Sequence, residues 1–328
     1  MTSPAQSGSL NDVAEMLRSS RLSQKTQFNA PVGPLTTYRV GGCATALVTV
    51  DTREDLTAFC ELLAGTRGSS DVALSVVGRG SNLLVSDDGF AGIAVVLGRD
   101  FAEVGVRGTA VGAGAAAKLP VVARACANAG LAGFEWAVGV PGSVGGAVRM
   151  NAGGHGAEIK DSLTSAQLVD LRSGSYEWRS NKDLEFGYRS SSVRATELVL
   201  EARFELVPGD SVAGKAKLLE IVQWRRANQP GGQNAGSVFT NPDGDSAGRL
   251  IESVGAKGLR IGTAEVSMKH SNFIQADENG RAGDILALMK EIQRLVFECH
   301  GIELLFETQL LGFDDRSDNA GGADAEAR

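Results

Sequence analysis

A lone serine, Ser237, follows Asn-Ala-Gly in the stretch QNAGSVFTNP (residues 233–242) and leads into an apolar pair. A turn-to-strand junction holds a side chain firmly, so this hydroxyl either satisfies a backbone group or delivers a proton. Arg189, beside Tyr188 in LEFGYRSSS, carries a planar fork that matches a carboxylate; a surface arginine next to a strand is the plainer reading. Glu307 stands in the otherwise apolar FETQLL. Strand alternation assigns Phe306, Thr308 and Leu310 to one face and Glu307 and Gln309 to the other. A solvent-facing edge is the simple account of such a carboxylate.

Two glycine-rich segments accompany these residues. VVGRGSNLLVSDDGF puts Gly78, Gly80, Ser81 and Asn82 directly after an apolar strand, where small residues let backbone N–H groups cradle an anion. In VGVPGSVGGAVRMNAGG, Pro141-Gly142 forces a turn and Gly145-Gly146 strips side chains from the backbone that follows. Both suit the pyrophosphate of a dinucleotide, and ordinary tight turns remain the alternative for either one alone. GAGAAA (residues 112–117), with Glu135 downstream, fits a dinucleotide fingerprint by letter, but its lead-in strand is weak and no clear second strand precedes Glu135. Neither glycine-rich segment ends in Gly-Lys-Ser/Thr, so no Walker A loop is present.

The 328 residues allow two or three domains, and 43% hydrophobic with 22% charged residues is ordinary for a globular chain. A net charge of -7 argues against a nucleic-acid binder while leaving room for a local basic pocket. Cys43, Cys60, Cys126 and Cys299 form no CxxC pair and read as reduced core or near-core thiols. His155, His270 and His300 show no ligand spacing with cysteine, so no metal is expected. The N-terminus lacks a basic region followed by an apolar run, and no apolar stretch is long enough to span a membrane; a cytoplasmic location without membrane insertion is expected.

These residues need elements to hold them. Residues 1–20 read as a flexible arm with one short helix near Asp12–Arg18. Short β-branched runs at 72–78 and 93–98 read as strands. A helix is predicted up to Gly130, with Leu119, Val122, Ala123 and Cys126 on one face. A hairpin turns around Ser173-Gly174-Ser175, and the strand near 197–208 stops at Pro208-Gly209, the predicted domain boundary. A helix over 212–227 follows. Ile285, Leu288, Met289, Ile292, Leu295, Val296 and Cys299 then recur at helical spacing, closed by Gly301. From Asp314 the chain is polar and small and reads as disordered.

In order, TTYRVGG, VVGRGSNLLVSDDGF, FEWAVGVPGSVGGAVRMNAGG, FGYRSS, NAGSVFTNP, KHSNFI and IELLFETQLLGF closely resemble the UDP-N-acetylenolpyruvoylglucosamine reductases, from about Thr36 to Phe313. The resemblance implies an α+β fold: an FAD-binding domain of the vanillyl-alcohol-oxidase-like kind, residues 21–208, in two subdomains split near 90–98, and a C-terminal α+β substrate-binding domain, 209–313. It implies noncovalent FAD, reduced by NADPH as hydride-donating cosubstrate. The substrate would be UDP-N-acetylglucosamine enolpyruvate, which takes hydride at C3 and a proton at C2 to become UDP-N-acetylmuramate. Ser237 matches the proton donor, and Arg189 and Glu307 match the pair acting on the enolpyruvyl carboxylate. Cofactor contacts carry over to Tyr38 and Arg39, then to Gly78, Arg79, Gly80, Ser81, Asn82 and Leu83. Further along they fall on Gly139, Pro141, Gly142, Ser143, Gly145 and Gly146, and on Asn151 and Gly153. Tyr188, Asn241 and His270 match substrate-lining positions; His270 also reads as a support for the strand backbone. A monomer is expected.

Three positions depart from the pattern. Asn228 and Gln309 stand where the family often has basic residues, and His155 where Tyr is common. Only a short segment separates ARFELVPGD from WRRANQP, so the chain resembles the shorter subfamily, without the Tyr-bearing insertion. Two rivals stay open: a sugar-alcohol or lactone oxidase of related fold, often with flavin bound covalently to His or Cys, and a non-catalytic flavin-holding scaffold.

Overall fold

The computed structural model describes residues 4–313; the tail expected to be disordered, 314–328, lies outside them. The first structural unit is a four-stranded sheet. Thr26–Pro31 runs antiparallel to Cys43–Val50, which lies parallel to Phe90–Leu97, itself parallel to Ala73–Val76. Helix α1 (Pro4–Ser19) and helix α2 (Arg53–Gly65) cover its core. Helix α2 starts at a capping box in which Thr52 accepts from the Asp55 N–H and Asp55 accepts from the Thr52 N–H, and it buries Leu56, Phe59, Cys60 and Leu63.

Over residues 4–19 the segment expected to be a flexible arm is a docked helix. Leu10, Val13 and Leu17 recur at helical spacing and are buried in the same core as Phe59, while the Arg18 guanidinium lies 4.1 Å from the Phe28 ring centre. Each such burial favours docking by roughly 1.5–3 kcal/mol, enough to hold a helix too short to persist alone.

The second unit is an antiparallel five-stranded sheet in the order 176–180, 163–170, 197–205, 110–114, 104–107. Its first two strands are the hairpin turning at Gly174, whose φ is 70°. Helix α3 (Leu119–Asn128) and helix α4 (Val144–Arg149) pack on it over Phe134, Trp136 and Phe204. GAGAAA belongs to this sheet and its exit turn rather than to a parallel dinucleotide fold.

Helix α5 (Ser211–Asn228) corrects the predicted boundary. Its Leu218 and Ile221 are buried in the second unit's core, and Gly214 lets it close on Ala127 of α3, where an added Cβ would come within 3.3 Å. Pro208-Gly209 is only a turn: Val207–Pro208 pairs with Leu131–Ala132, and Gly209 N–H donates to Gly130 O at 2.7 Å. The third unit begins after α5.

That unit holds helix α6 (Ala247–Ser253), helix α7 (Ala282–His300) and the three-stranded sheet 260–261, 264–266, 274–276. The buried face of α7 is Ile285, Leu288, Met289, Ile292 and Val296; Gly301 closes it at φ 68°. Cys299 departs from the expectation: it is exposed. Cys60 and Cys126 are core thiols, pushed up to about 11 and about 12 by burial.

The final strand also differs from the prediction. Only Gln309–Leu311 is strand, and it pairs in parallel with Leu83–Val85 of the first unit, with Gln309 opposite Leu83. This seam is reinforced by Asp87, whose carboxylate accepts from the Ala282 and Gly283 N–H groups at the start of α7, both at 2.9 Å.

Candidate active site

All three units wall one cavity of about 1410 Å³. That exceeds the roughly 300–1,000 Å³ typical of a single small-molecule pocket. Its floor carries both glycine-rich segments. Gly78, Arg79, Gly80, Ser81, Asn82 and Leu83 line it on one side; Gly139, Pro141, Gly142, Ser143, Gly145, Gly146 and Gly153 line it on the other. Gly80 has φ 59°, and a Cβ there would stand 2.5 Å from Thr36 Cα, so neither the backbone conformation nor the space admits a side chain. Thr37 N–H donates to Gly80 O at 3.0 Å and fixes the loop. A Cβ on Gly145 would lie 2.9 Å from Ala115 Cβ, whereas one on Gly146 would meet only the Ser143 hydroxyl, at 3.6 Å. Gly145 is therefore a packing glycine, and Gly146 keeps the wall low.

The lining is rich in cations despite the acidic chain. Lys118, Arg149, Arg189, Arg225, Arg226 and Lys269 face the cavity, against the carboxylates of Glu197 and Glu307. Glu197 is neutralised by its own partners: burial alone would raise its pKa, but Arg179 and Arg194 hold it at about 2. A glycine cradle under a cationic wall suits a dinucleotide diphosphate, so the residues present fit FAD.

Arg189 occupies a left-handed turn, φ 55°, closed by the Gly187–Ser190 bridge. Its Nε lies 3.2 Å from Glu307 Oε1, and its remaining nitrogens donate to Asn151 O and Gly153 O at 3.4 and 3.3 Å. Burial raises the Glu307 carboxyl above its ordinary value, against the downward pull of Arg189. The Glu307 N–H donates to Val238 O at 2.8 Å, so the residue is tied to the immediate neighbour of Ser237. Asn272 holds the same segment from the other side, accepting from Phe239 N–H at 3.0 Å and donating to Phe239 O at 2.8 Å. Ser237 is half-buried and opens onto the cavity beside this doubly pinned backbone.

A serine hydroxyl, an arginine guanidinium and a glutamate carboxyl thus line one large cavity, the last two in contact. A model of the UDP-N-acetylenolpyruvoylglucosamine reductase C-terminal domain matches residues 227–311, and one of an FAD binding domain matches 44–179. The chain is 42% identical over 293 residues to the UDP-N-acetylenolpyruvoylglucosamine reductase of Paramagnetospirillum magneticum, covering 89% of this chain and 94% of that one.

The chain belongs to the UDP-N-acetylenolpyruvoylglucosamine reductase family.

The enzyme of the same name from Desulforamulus reducens is 39% identical, over 88% of this chain and 94% of its own. The crystal structure of the Thermus caldophilus reductase superposes with a TM-score of 0.75 at 34% identity, over 86% of this chain and 97% of that one. The fold is accordingly the FAD-binding α+β type with a C-terminal domain, and the matched C-terminal segment starts at the end of α5.

Within that frame, four residues expected at the site do not line the cavity. Tyr38 is fully buried in the third unit's core, near the Ala235 backbone, and burial pushes its phenol up. Arg39 is exposed; Thr37 faces the cavity in its place. Asn151 is fully buried, and its carboxamide donates to Gly187 O at 2.9 Å and to Glu158 Oε2 at 3.0 Å, bracing the Arg189 turn. His270 accepts from Asn272 N–H through Nδ1 at 3.3 Å and packs edge-on to Phe273. Burial, aided by Lys257, lowers its pKa, so it serves as a neutral backbone support. Tyr188 and Asn241 do line the cavity.

The departures from the family pattern resolve locally. Asn228 caps back onto Trp224 O at 2.7 Å and does not line the cavity; His155 lies edge-on to Trp224 at 4.9 Å. Among the cations that sequence reading missed are Arg225, whose Nη1 donates to Gly139 O, and Lys269, whose Nζ donates to Arg226 O. WRRANQP and KHSNFI contained both; Arg225 turns inward by the phase of α5, and Lys269 by the course of the loop joining strands 264–266 and 274–276.

Proposed function

We propose that Ser237, Arg189 and Glu307 carry the substrate-reducing step of an NADPH-dependent, FAD-containing reductase. It converts UDP-N-acetylglucosamine enolpyruvate to UDP-N-acetylmuramate for peptidoglycan synthesis, as a cytoplasmic monomer. The observation that carries this reading is the Arg189–Glu307 pair at 3.2 Å, backbone-linked to the Ser237 segment on the wall of the cofactor-sized cavity. When bound, FAD supplies the hydride that NADPH provides and the enolpyruvyl C3 accepts. Arg189 then grips the enolpyruvyl carboxylate, where negative charge develops, and acts best there because its turn is already fixed. Glu307, whose burial favours the protonated form, donates a hydrogen bond to the same group. The Ser237 hydroxyl gives its proton to C2, which a weak acid can do only to a strongly basic carbon. Lys269 and Arg226 supply charge for the sugar-nucleotide diphosphate in place of Asn228 and Gln309.

Covalent oxidase chemistry is less well supported: among the described residues lining the cavity none is His or Cys. The test is NADPH oxidation by the purified, FAD-loaded protein with and without the enolpyruvyl sugar nucleotide. Oxidation independent of that substrate would sink the reading. Arg189→Lys keeps the charge and loses the fork, so substrate reduction should fall about 10²-fold while flavin reduction persists. A parental rate would remove Arg189 from the site.

A further inference from the structure

The backbone carbonyl of Glu307 accepts a hydrogen bond from the Asn82 carboxamide at 2.9 Å, across 225 residues of chain. Asn82 O in turn accepts from Gln309 N–H at 3.0 Å, and the Glu307 N–H donates to Val238 O at 2.8 Å. The peptide groups on both sides of the Glu307 side chain are therefore clamped, one by the Ser237 segment and one by the loop carrying Gly78 and Gly80. Among the described residues, the only other donor to Glu307 O is the exposed Gln309 side chain, at a long 3.4 Å. Asn82 follows directly on the cavity-lining glycines, yet its amide nitrogen is directed at the third unit rather than left free for a ligand.

We propose that Asn82 is a positioning residue: its side chain aims the Glu307 carboxyl at the substrate and ties that aim to the cofactor-cradling loop. This rests on the role of Glu307 given above. A carboxyl displaced by about 1 Å costs on the order of 10²-fold in rate, so a partly released Glu307 should slow the substrate-reducing step by roughly 10-fold or more.

The test compares Asn82→Ala and Asn82→Asp in the FAD-loaded enzyme. Asp is isosteric but presents no N–H to the Glu307 carbonyl, whereas Ala removes the whole side chain. Stopped-flow flavin absorbance separates reduction by NADPH from reoxidation by the enolpyruvyl substrate, and fluorescence titration gives FAD affinity. In both variants reoxidation should slow by about 10-fold or more, and by a clearly larger factor than FAD affinity falls. A loosened, more hydrated Glu307 should also move the descending alkaline limb of reoxidation to lower pH. Asp87→Ala, which weakens the same seam at α7 without touching Glu307, should leave the ratio of the two half-reactions unchanged. The proposal is overturned if FAD affinity falls as far as reoxidation, if both half-reactions slow together, or if Asp87→Ala gives the same selective loss. Glu307→Ala is run alongside: if it does not selectively slow reoxidation, the role of Glu307 itself is wrong, whatever Asn82 does.

Discussion

Ser237 and Glu307 separate a chemical role from a structural one by what titrates and what transfers. Ser237→Ala should leave flavin reduction by NADPH intact and slow reoxidation by the enolpyruvyl substrate by about 10²-fold or more, the scale of losing a positioned proton donor. Ser237→Cys should retain more activity than Ala, since a thiol still carries a proton. A serine that only closes a turn predicts instead a loss of about 1 kcal/mol in stability and no selective defect. Glu307 adds a pH signature. Burial raises its pKa, so the donor form persists above the ordinary carboxylate range and is lost as pH rises through the shifted value. Reoxidation should decline over that window, and the decline should vanish in Glu307→Gln, whose amide donates without titrating. A limb that survives in Glu307→Gln belongs to another group. The burial of Glu307 was not readable from FETQLL, because alternation assumes a continuous strand and the chain is strand only from Gln309.

At the scale of elements, adjacent glycines at the start of α4 divide into two kinds. Gly146 offers room for a Cβ on the cavity side, while Gly145 faces Ala115 at contact. Gly146→Val should therefore fold with a near-parental melting temperature and bind FAD much more weakly. Gly145→Val should lose stability first. Parental FAD affinity in a folded Gly146→Val protein would remove α4 from the cofactor wall. The pair Gly145-Gly146 was legible as a place where side chains are excluded, but not which glycine excludes them for packing and which for a ligand. Periodicity likewise located α3, α5 and α7 within a few residues, and missed most of α1 because its stripe of Leu10, Val13 and Leu17 is sparse. The same periodicity misplaced Cys299, since a regular spacing says which residues share a face and not whether each of them is covered.

The whole molecule carries an excess of acid and still walls its cavity with cations, which it can do because Glu197 is screened by Arg179 and Arg194. This cluster makes stability pH-dependent. The folded-state pKa of Glu197 is about 2, below the roughly 4.3 of an unfolded glutamate. Its contribution is therefore present above the unfolded value and lost as pH falls toward 2. A shift of that size corresponds to about 3 kcal/mol. Glu197→Gln should lower the melting temperature at neutral pH and converge with the parent near pH 2. Parallel melting curves across that range would show that Glu197 adds nothing to folding.

The chain's local chemistry is written in its sequence: the glycine loops, the Ser237 junction and the arginine fork all follow from residue types a few positions apart. Sequence alone therefore determined the kind of site, the fold class and the family pattern. Only the tertiary structure decided that α5 belongs with the FAD-binding units, because the burial of Leu218 and Ile221 is set by Ala127 and its neighbours and not by the Pro208-Gly209 turn. It also decided that Tyr38, Asn151 and His270 brace the walls while Thr37, Arg225 and Lys269 face inward. Most of those assignments depend on contacts made across dozens of residues or more, and a contact such as Asn82 on Glu307 leaves no periodic trace in the chain that makes it.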